Sequence, residues 1–136
     1  MTMYTLAWGH NAEDPSGQNT IRVSTADELD AALDTLAAGG PYLVDVYQGT
    51  WTKGAPAPPG GFQLVWGHPQ RAALTWLGQD AAIAADPSLP EWPEPIGHDQ
   101  DAADPRRTRL TPAQARQALH EYLHTGQRPT SIAWAE

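Results

Sequence analysis

The sequence predicts an α+β fold in which a mainly antiparallel sheet packs against two helices. Three observations lead there. Strand-like segments lie at both ends of the chain, two stretches of helical periodicity stand far apart, and the central strand-like runs are joined by turns and not by helices. The 136 residues suit one domain, over 1–136, able to bury roughly two-thirds of its unfolded surface. Leu, Ile, Val and Phe number only 21, a share below the ~20% that accompanies disorder in highly charged chains. Six Trp and four Tyr compensate, since each can bury roughly 150–250 Å².

The elements follow in order. Residues 3–8 (MYTLAW) and 19–23 (NTIRV) read as strands separated by a turn-rich stretch holding Pro15 and Gly17. Thr25 and Glu28 have the spacing of a capping box and open a helix over 25–38. Leu29, Ala32, Leu33 and Leu36 give that helix its apolar stripe, and Gly39-Gly40-Pro41 stops it. Asp27, Asp30 and Asp34 fall on its outer face and are expected in solvent. Residues 42–47 (YLVDVY) form a strand with Tyr42, Val44 and Val46 on one side. A stiff stretch with three prolines covers 53–61, and the alternation from Phe62 to Trp66, followed by RAALTWLG, predicts a central hairpin. The run at 81–86 (AAIAAD) is a further candidate strand. Thr111, Pro112 and Gln114 open a second helix over 112–125, with Ala115, Ala118, Leu119, Tyr122 and Leu123 as its buried stripe. Gly126 ends it, and 131–134 (SIAW) is a last short strand. The expected core comprises Leu29, Leu33, Leu36, Leu64, Trp66, Leu74, Trp76, Leu119, Tyr122, Leu123 and Trp134.

Several function classes are disfavoured. No run approaches the ~20 apolar residues of a membrane span. The opening MTMYTLAWGHNAED lacks a basic end and a long apolar core, so it does not read as a secretory signal, and a cytoplasmic location is expected. The absence of cysteine removes disulfides, thiol catalysis and Cys-ligated zinc. Sixteen acidic against eight basic residues, with a pI near 4.9, argue against nucleic-acid binding and for a partner with a basic surface. No phosphate-cradling glycine loop or nucleophile elbow occurs, and no cofactor is expected. His10, His68 and His98 sit beside Asn, Pro or Gly and read as turn residues.

One string matches a catalytic pattern. His120-Glu121-Tyr122-Leu123-His124 is H-E-x-x-H, in which two His on one helix face bind zinc and Glu serves as base. Taking Ala115 as 0°, the apolar residues of the helix cluster between about 300° and 80°, while His120 and His124 fall near 140° and 180°. Both are therefore expected on the solvent side, which leaves a small zinc hydrolase as the alternative and not the leading reading. The window 80–104 is different in kind. It carries Asp80, Asp86, Glu91, Glu94, Asp99, Asp101 and Asp104, four prolines, no Lys or Arg, and Trp92. It reads as a long surface loop, and large aromatics in such places are enriched among interface anchors. Asp86, Glu91, Trp92, Glu94, Asp99, Asp101 and Asp104 are accordingly the candidate partner-binding residues. Trp51, beside the second loop at 48–61, is a further candidate.

The tail EYLHTGQRPTSIAWAE, with the helix before it, resembles the first-numbered family of bacterial immunity proteins, which accompany polymorphic toxins, often nucleic-acid deaminases. Its members commonly end in a helix, Thr-Gly, Arg-Pro and a short strand carrying Trp, here Thr125-Gly126, Arg128-Pro129 and Ile132 to Trp134. The pair LVWGHPQRAALTWLG fits the family's central strands more loosely, and the resemblance does not reach 80–104. It implies a non-enzymatic inhibitor that binds one cognate toxin and occludes its active site, with no catalytic residue to carry over. A generic acidic adaptor or nucleic-acid mimic is a further alternative.

Overall fold

The computed structural model describes residues 2–9, 19–50, 60–78, 81–98 and 101–135. In chain order these form β1 (Tyr4–Trp8), β2 (Asn19–Val23), α1 (Ala26–Gly39), β3 (Tyr42–Gln48), β4 (Phe62–Trp66), β5 (Ala73–Trp76), β6 (Ala82–Ala84), β7 (Ile96–Gly97), β8 (Ala102–Ala103), α2 (Pro112–Thr125) and β9 (Trp134–Ala135). Seven strands make one sheet in the order β2-β1-β3-β4-β5-β6-β9, antiparallel at every junction. The expected α+β architecture is present.

Both helices start where their capping boxes put them. Thr25 accepts from the Glu28 amide, Thr111 accepts from the Gln114 amide, and each third residue's side chain returns to the cap backbone. Gly126 closes α2 in the left-handed conformation, φ 71°, which a residue without Cβ adopts at no steric cost. The last strand begins at Trp134, three residues later than the expected 131. Trp134 Nε1 donates to the Pro129 carbonyl at 2.7 Å, so 129–133 is held as a turn before pairing begins.

The pairing register sorts side chains by face. Leu6 opposes Val46, Val46 opposes Phe62, Leu64 lies between Val44 and Leu74, and Trp76 opposes Ala82. Those residues bury against α1 and α2. Tyr122 is the contact centre of α2, with ring centroids 5.1 Å from Tyr4, 5.0 Å from Phe62 and 5.9 Å from Trp76. Burial against Tyr4 pushes its hydroxyl pKa up to about 12. Nine of the eleven expected core residues are buried, while Leu123 and Trp134 pack half-buried at the edge of the core. Tyr4, Leu6, Phe62 and Leu110 complete it.

The opposite face carries Leu43, Val65, Ala73 and Thr75, and among the described residues no helix lies over it. The chain between β6 and α2 does. Ala103 of β8 buries against Val65 and Ala73, with Leu43 beside them. Beyond the expected strand at 81–86, found as β6, the window expected to be a surface loop contains the β7–β8 ladder and supplies a second, small apolar contact.

Leu119→Ala should cost roughly 2–5 kcal/mol, because it removes a fully buried side chain between α2 and the sheet. Urea unfolding measures it. A loss under about 0.5 kcal/mol would mean that α2 does not pack as described.

Candidate partner-binding surface

Residues 86–109 leave the sheet and return to the same point. The Asp86 amide donates to the Arg109 carbonyl at 2.8 Å, and the Ala72 amide to Leu110 at 2.9 Å. Between these clamps, Pro87, Pro90, Pro93 and Pro95 deny the segment a run of amide donors, so it cannot join the sheet as a ladder strand. Its carbonyls still need partners. Arginines supply them. Arg109 donates through Nε to Leu89 at 2.9 Å and through Nη2 to Pro87 at 3.3 Å. Arg71, only 7% exposed, donates through Nη1 to Pro90 at 2.7 Å and Thr108 at 3.1 Å. Arg107 donates to Thr75 Oγ1 on the sheet at 2.7 Å. Acidic though its first part is, the segment is fastened by cations.

The candidate residues divide into two groups. Asp86 accepts from the Ser88 amide and hydroxyl at 2.8 and 2.6 Å, and its other oxygen accepts from Gln114 Nε2 at 2.7 Å. Those hydrogen bonds lower its pKa and tie the segment to the first turn of α2. Asp104 receives Arg106 through the backbone amide, Nε and Nη2, at 2.8, 3.2 and 2.9 Å. Its pKa falls from the ordinary 3.8 to about 2. Both carboxylates shape the segment. Glu91, Glu94 and Asp101 are exposed. Trp92 is half-buried, with the Arg71 guanidinium 5.0 Å from its ring centre and the edge of His68 5.1 Å away. It is therefore a fixed aromatic platform with one side turned outward. Asp99, Trp51 and most of the 48–61 loop lie outside the described residues.

On the helical side, two expectations change. His120 Nε2 lies 2.7 Å from Asp30 Oδ1, and Arg116 binds Asp30 and Asp34 at 2.9 Å each. His120 is half-buried at this junction and does not face open solvent, and Asp30 is a half-buried, bound carboxylate, while Asp34 pairs with Arg116 and stays exposed as expected. The cause is that α1 and α2 lie side by side on one sheet face, so each presents a second stripe to its neighbour. The hydrogen bonds from His120 and Arg116 lower the Asp30 pKa. The rest of the H-E-x-x-H string goes elsewhere. Glu121 accepts from the Thr130 amide, and His124 is exposed. Among the described residues no three His, Asp or Glu side chains are grouped to hold a metal ion.

The arginines were the feature that acidic counting passed over. Arg106, Arg107 and Arg109 follow the acidic run at once, and their nearness to a proline-dense stretch was the available signal.

A family model described as immunity protein Imm1 matches residues 17–136. The chain belongs to this family. The match runs through the acidic segment as well as the tail, so the segment is part of what the Imm1 pattern covers. No curated protein and no solved structure matches the chain significantly. Among the described residues no helix is long and apolar enough to cross a membrane.

Two outcomes are expected. Arg71→Met keeps an apolar stem but leaves two carbonyls without a donor, and should cost roughly 2–3 kcal/mol in urea unfolding; a change below about 0.5 kcal/mol would refute the fastening role. Asp104 has a depressed pKa, so its contribution is present above 3.8 and is lost as pH falls toward about 2. An Asp104→Asn variant should show a shallower fall in melting temperature over that window. Parallel curves would count against it.

Proposed function

We propose that the chain protects its producing cell by binding one cognate toxin in the cytoplasm, a nucleic-acid-targeting toxin of the deaminase type, and covering its active site. Inhibition is by occupancy, with no reaction catalysed. What carries this is the set of exposed carboxylates at Glu91, Glu94 and Asp101 on a segment fastened to the sheet, in an Imm1-family chain of net charge −8. A toxin that acts on DNA or RNA needs a cationic cleft for the phosphate backbone, and a fixed acidic surface complements it.

The division of labour follows from the geometry. Asp86 and Asp104 hold the segment's shape. Glu91, Glu94 and Asp101, with Asp99 in the same segment, supply the attractive charge. The outer side of Trp92 supplies contact area. Because arginines already order the segment, little conformational entropy is lost on association. Complementary charge also raises the association rate, toward about 10⁸ M⁻¹s⁻¹ at low salt.

Replacing Glu91, Glu94 and Asp101 together by Lys should slow association with the toxin at least about tenfold at low salt and flatten its salt dependence, since exposed charges are screened beyond ~10 Å at 0.1 M. The melting temperature should stay near that of the parent, because none of the three is buried. Stopped-flow mixing reads the rate. Parental kinetics would remove the acidic segment from the interface.

A further inference from the structure

A pocket of about 440 Å³ opens between the end of the acidic segment and strands β6 and β9. Arg106, Arg107 and Arg109 line it with Glu91, Asp104 and Ile83. Three positive and two negative side chains leave its walls with one surplus positive charge, in a chain of net charge −8. Asp104 is already held by Nε and Nη2 of Arg106. Arg109 spends the same two nitrogens on the Leu89 and Pro87 carbonyls. Arg107 differs. Its Nη2 donates to Thr75 Oγ1 at 2.7 Å, while its Nε is buried and has no hydrogen-bond partner. Among the described residues no other buried side-chain nitrogen or oxygen is left so. A buried charged donor without an acceptor is costly, and folded proteins seldom retain one unless something else supplies the acceptor.

The chemistry of that acceptor follows from the donor. A guanidinium bonds most strongly to an anionic oxygen, and its planar fork matches a carboxylate. The surplus of one positive charge suits a group carrying a single negative charge, and Glu91 in the wall disfavours a doubly charged phosphate. We propose that the pocket receives an Asp or Glu side chain of the toxin, with Arg107 Nε donating to its carboxylate. This rests on the immunity reading and adds a contact that sets specificity. A surface of exposed carboxylates attracts any cationic cleft, so long-range charge alone does not tell one toxin from another. A cation set within that surface does. A toxin without an acid at the matching place would bury the Arg107 guanidinium unpaired, which penalises the wrong partner.

Two measurements test this against the purified toxin domain encoded by the neighbouring gene. In the parent chain labelled with [15N]arginine, the Arg107 Nε–H resonance should move downfield and exchange more slowly with water once the toxin is bound. A resonance unchanged in the complex would overturn the site and leave the immunity reading standing. A shift with inorganic phosphate alone and none with the toxin would make it a small-anion site and overturn the toxin as its source. The second measurement fills the pocket from within. Ile83 is half-buried and stands opposite Thr75 in the strand register, so Ile83→Glu brings a carboxylate to Arg107, and Ile83→Gln brings the same shape without charge. By biolayer interferometry Ile83→Glu should leave the toxin at least about tenfold faster than Ile83→Gln, with a melting temperature no lower. Two folded variants that dissociate alike would overturn the proposal, and if either fails to fold, the resonance decides. A parent that neither binds nor neutralises the domain would overturn both this site and the immunity reading.

Discussion

A buried guanidinium holds the architecture together on the side that the helices do not reach. An antiparallel sheet with helices on one face leaves its other face to be covered by something else. Here the cover is a proline-dense segment that cannot donate enough amide hydrogens to pair with strands. Arg71 resolves the conflict from beneath, binding the Pro90 and Thr108 carbonyls while its guanidinium sits 5.0 Å from the centre of the Trp92 ring. Arg109 and Arg107 repeat the device at the flank and on the sheet. Ala103 can then bury on Val65 and Ala73. Without these donors the segment would leave carbonyls unpaired against an apolar face, a costly arrangement.

The same device accounts for the chemistry of the surface. Within the acidic run Arg106 binds Asp104, Ser88 and Gln114 bind Asp86, and Glu91, Glu94 and Asp101 are left exposed. The helical side is organised comparably, with Arg116 and His120 of α2 meeting Asp30 and Asp34 of α1 above the Trp66 ring. In both places one cation satisfies a neighbouring acid or carbonyl and covers an indole. Among the described residues, Asp34, Glu91, Glu94 and Asp101 are exposed, as are two arginines, Arg22 and Arg106.

Much of this was legible in the sequence. Thr25 with Glu28 and Thr111 with Gln114 marked the helix starts, and the alternation from Phe62 to Trp76 marked the central strands, because caps and periodicity are local signals. The acidic window was read from its own composition as a surface loop, which missed β7, β8 and the cover over the sheet. Of its partners, Arg71 becomes a neighbour only after the hairpin closes, whereas the arginines at 106–109 follow the run directly and were passed over by counting acids alone. His120 failed for a related reason: a helical wheel shows which side faces the sheet but not that a second helix lies alongside. Of the candidate residues, Asp86 and Asp104 proved to be internal fastenings, a distinction that depends on hydrogen-bond geometry and that no charge count contains.

The central claim is that the toxin meets the surface formed by the fastened acidic segment. Hydrogen exchange on the chain alone and in complex with its toxin tests it most directly. Slowed exchange should appear across 89–98, while the edge strand of the sheet at Asn19–Val23 stays unchanged. Protection confined to that edge and to the neighbouring strand β1, with the segment exchanging as in the free protein, would contradict the account.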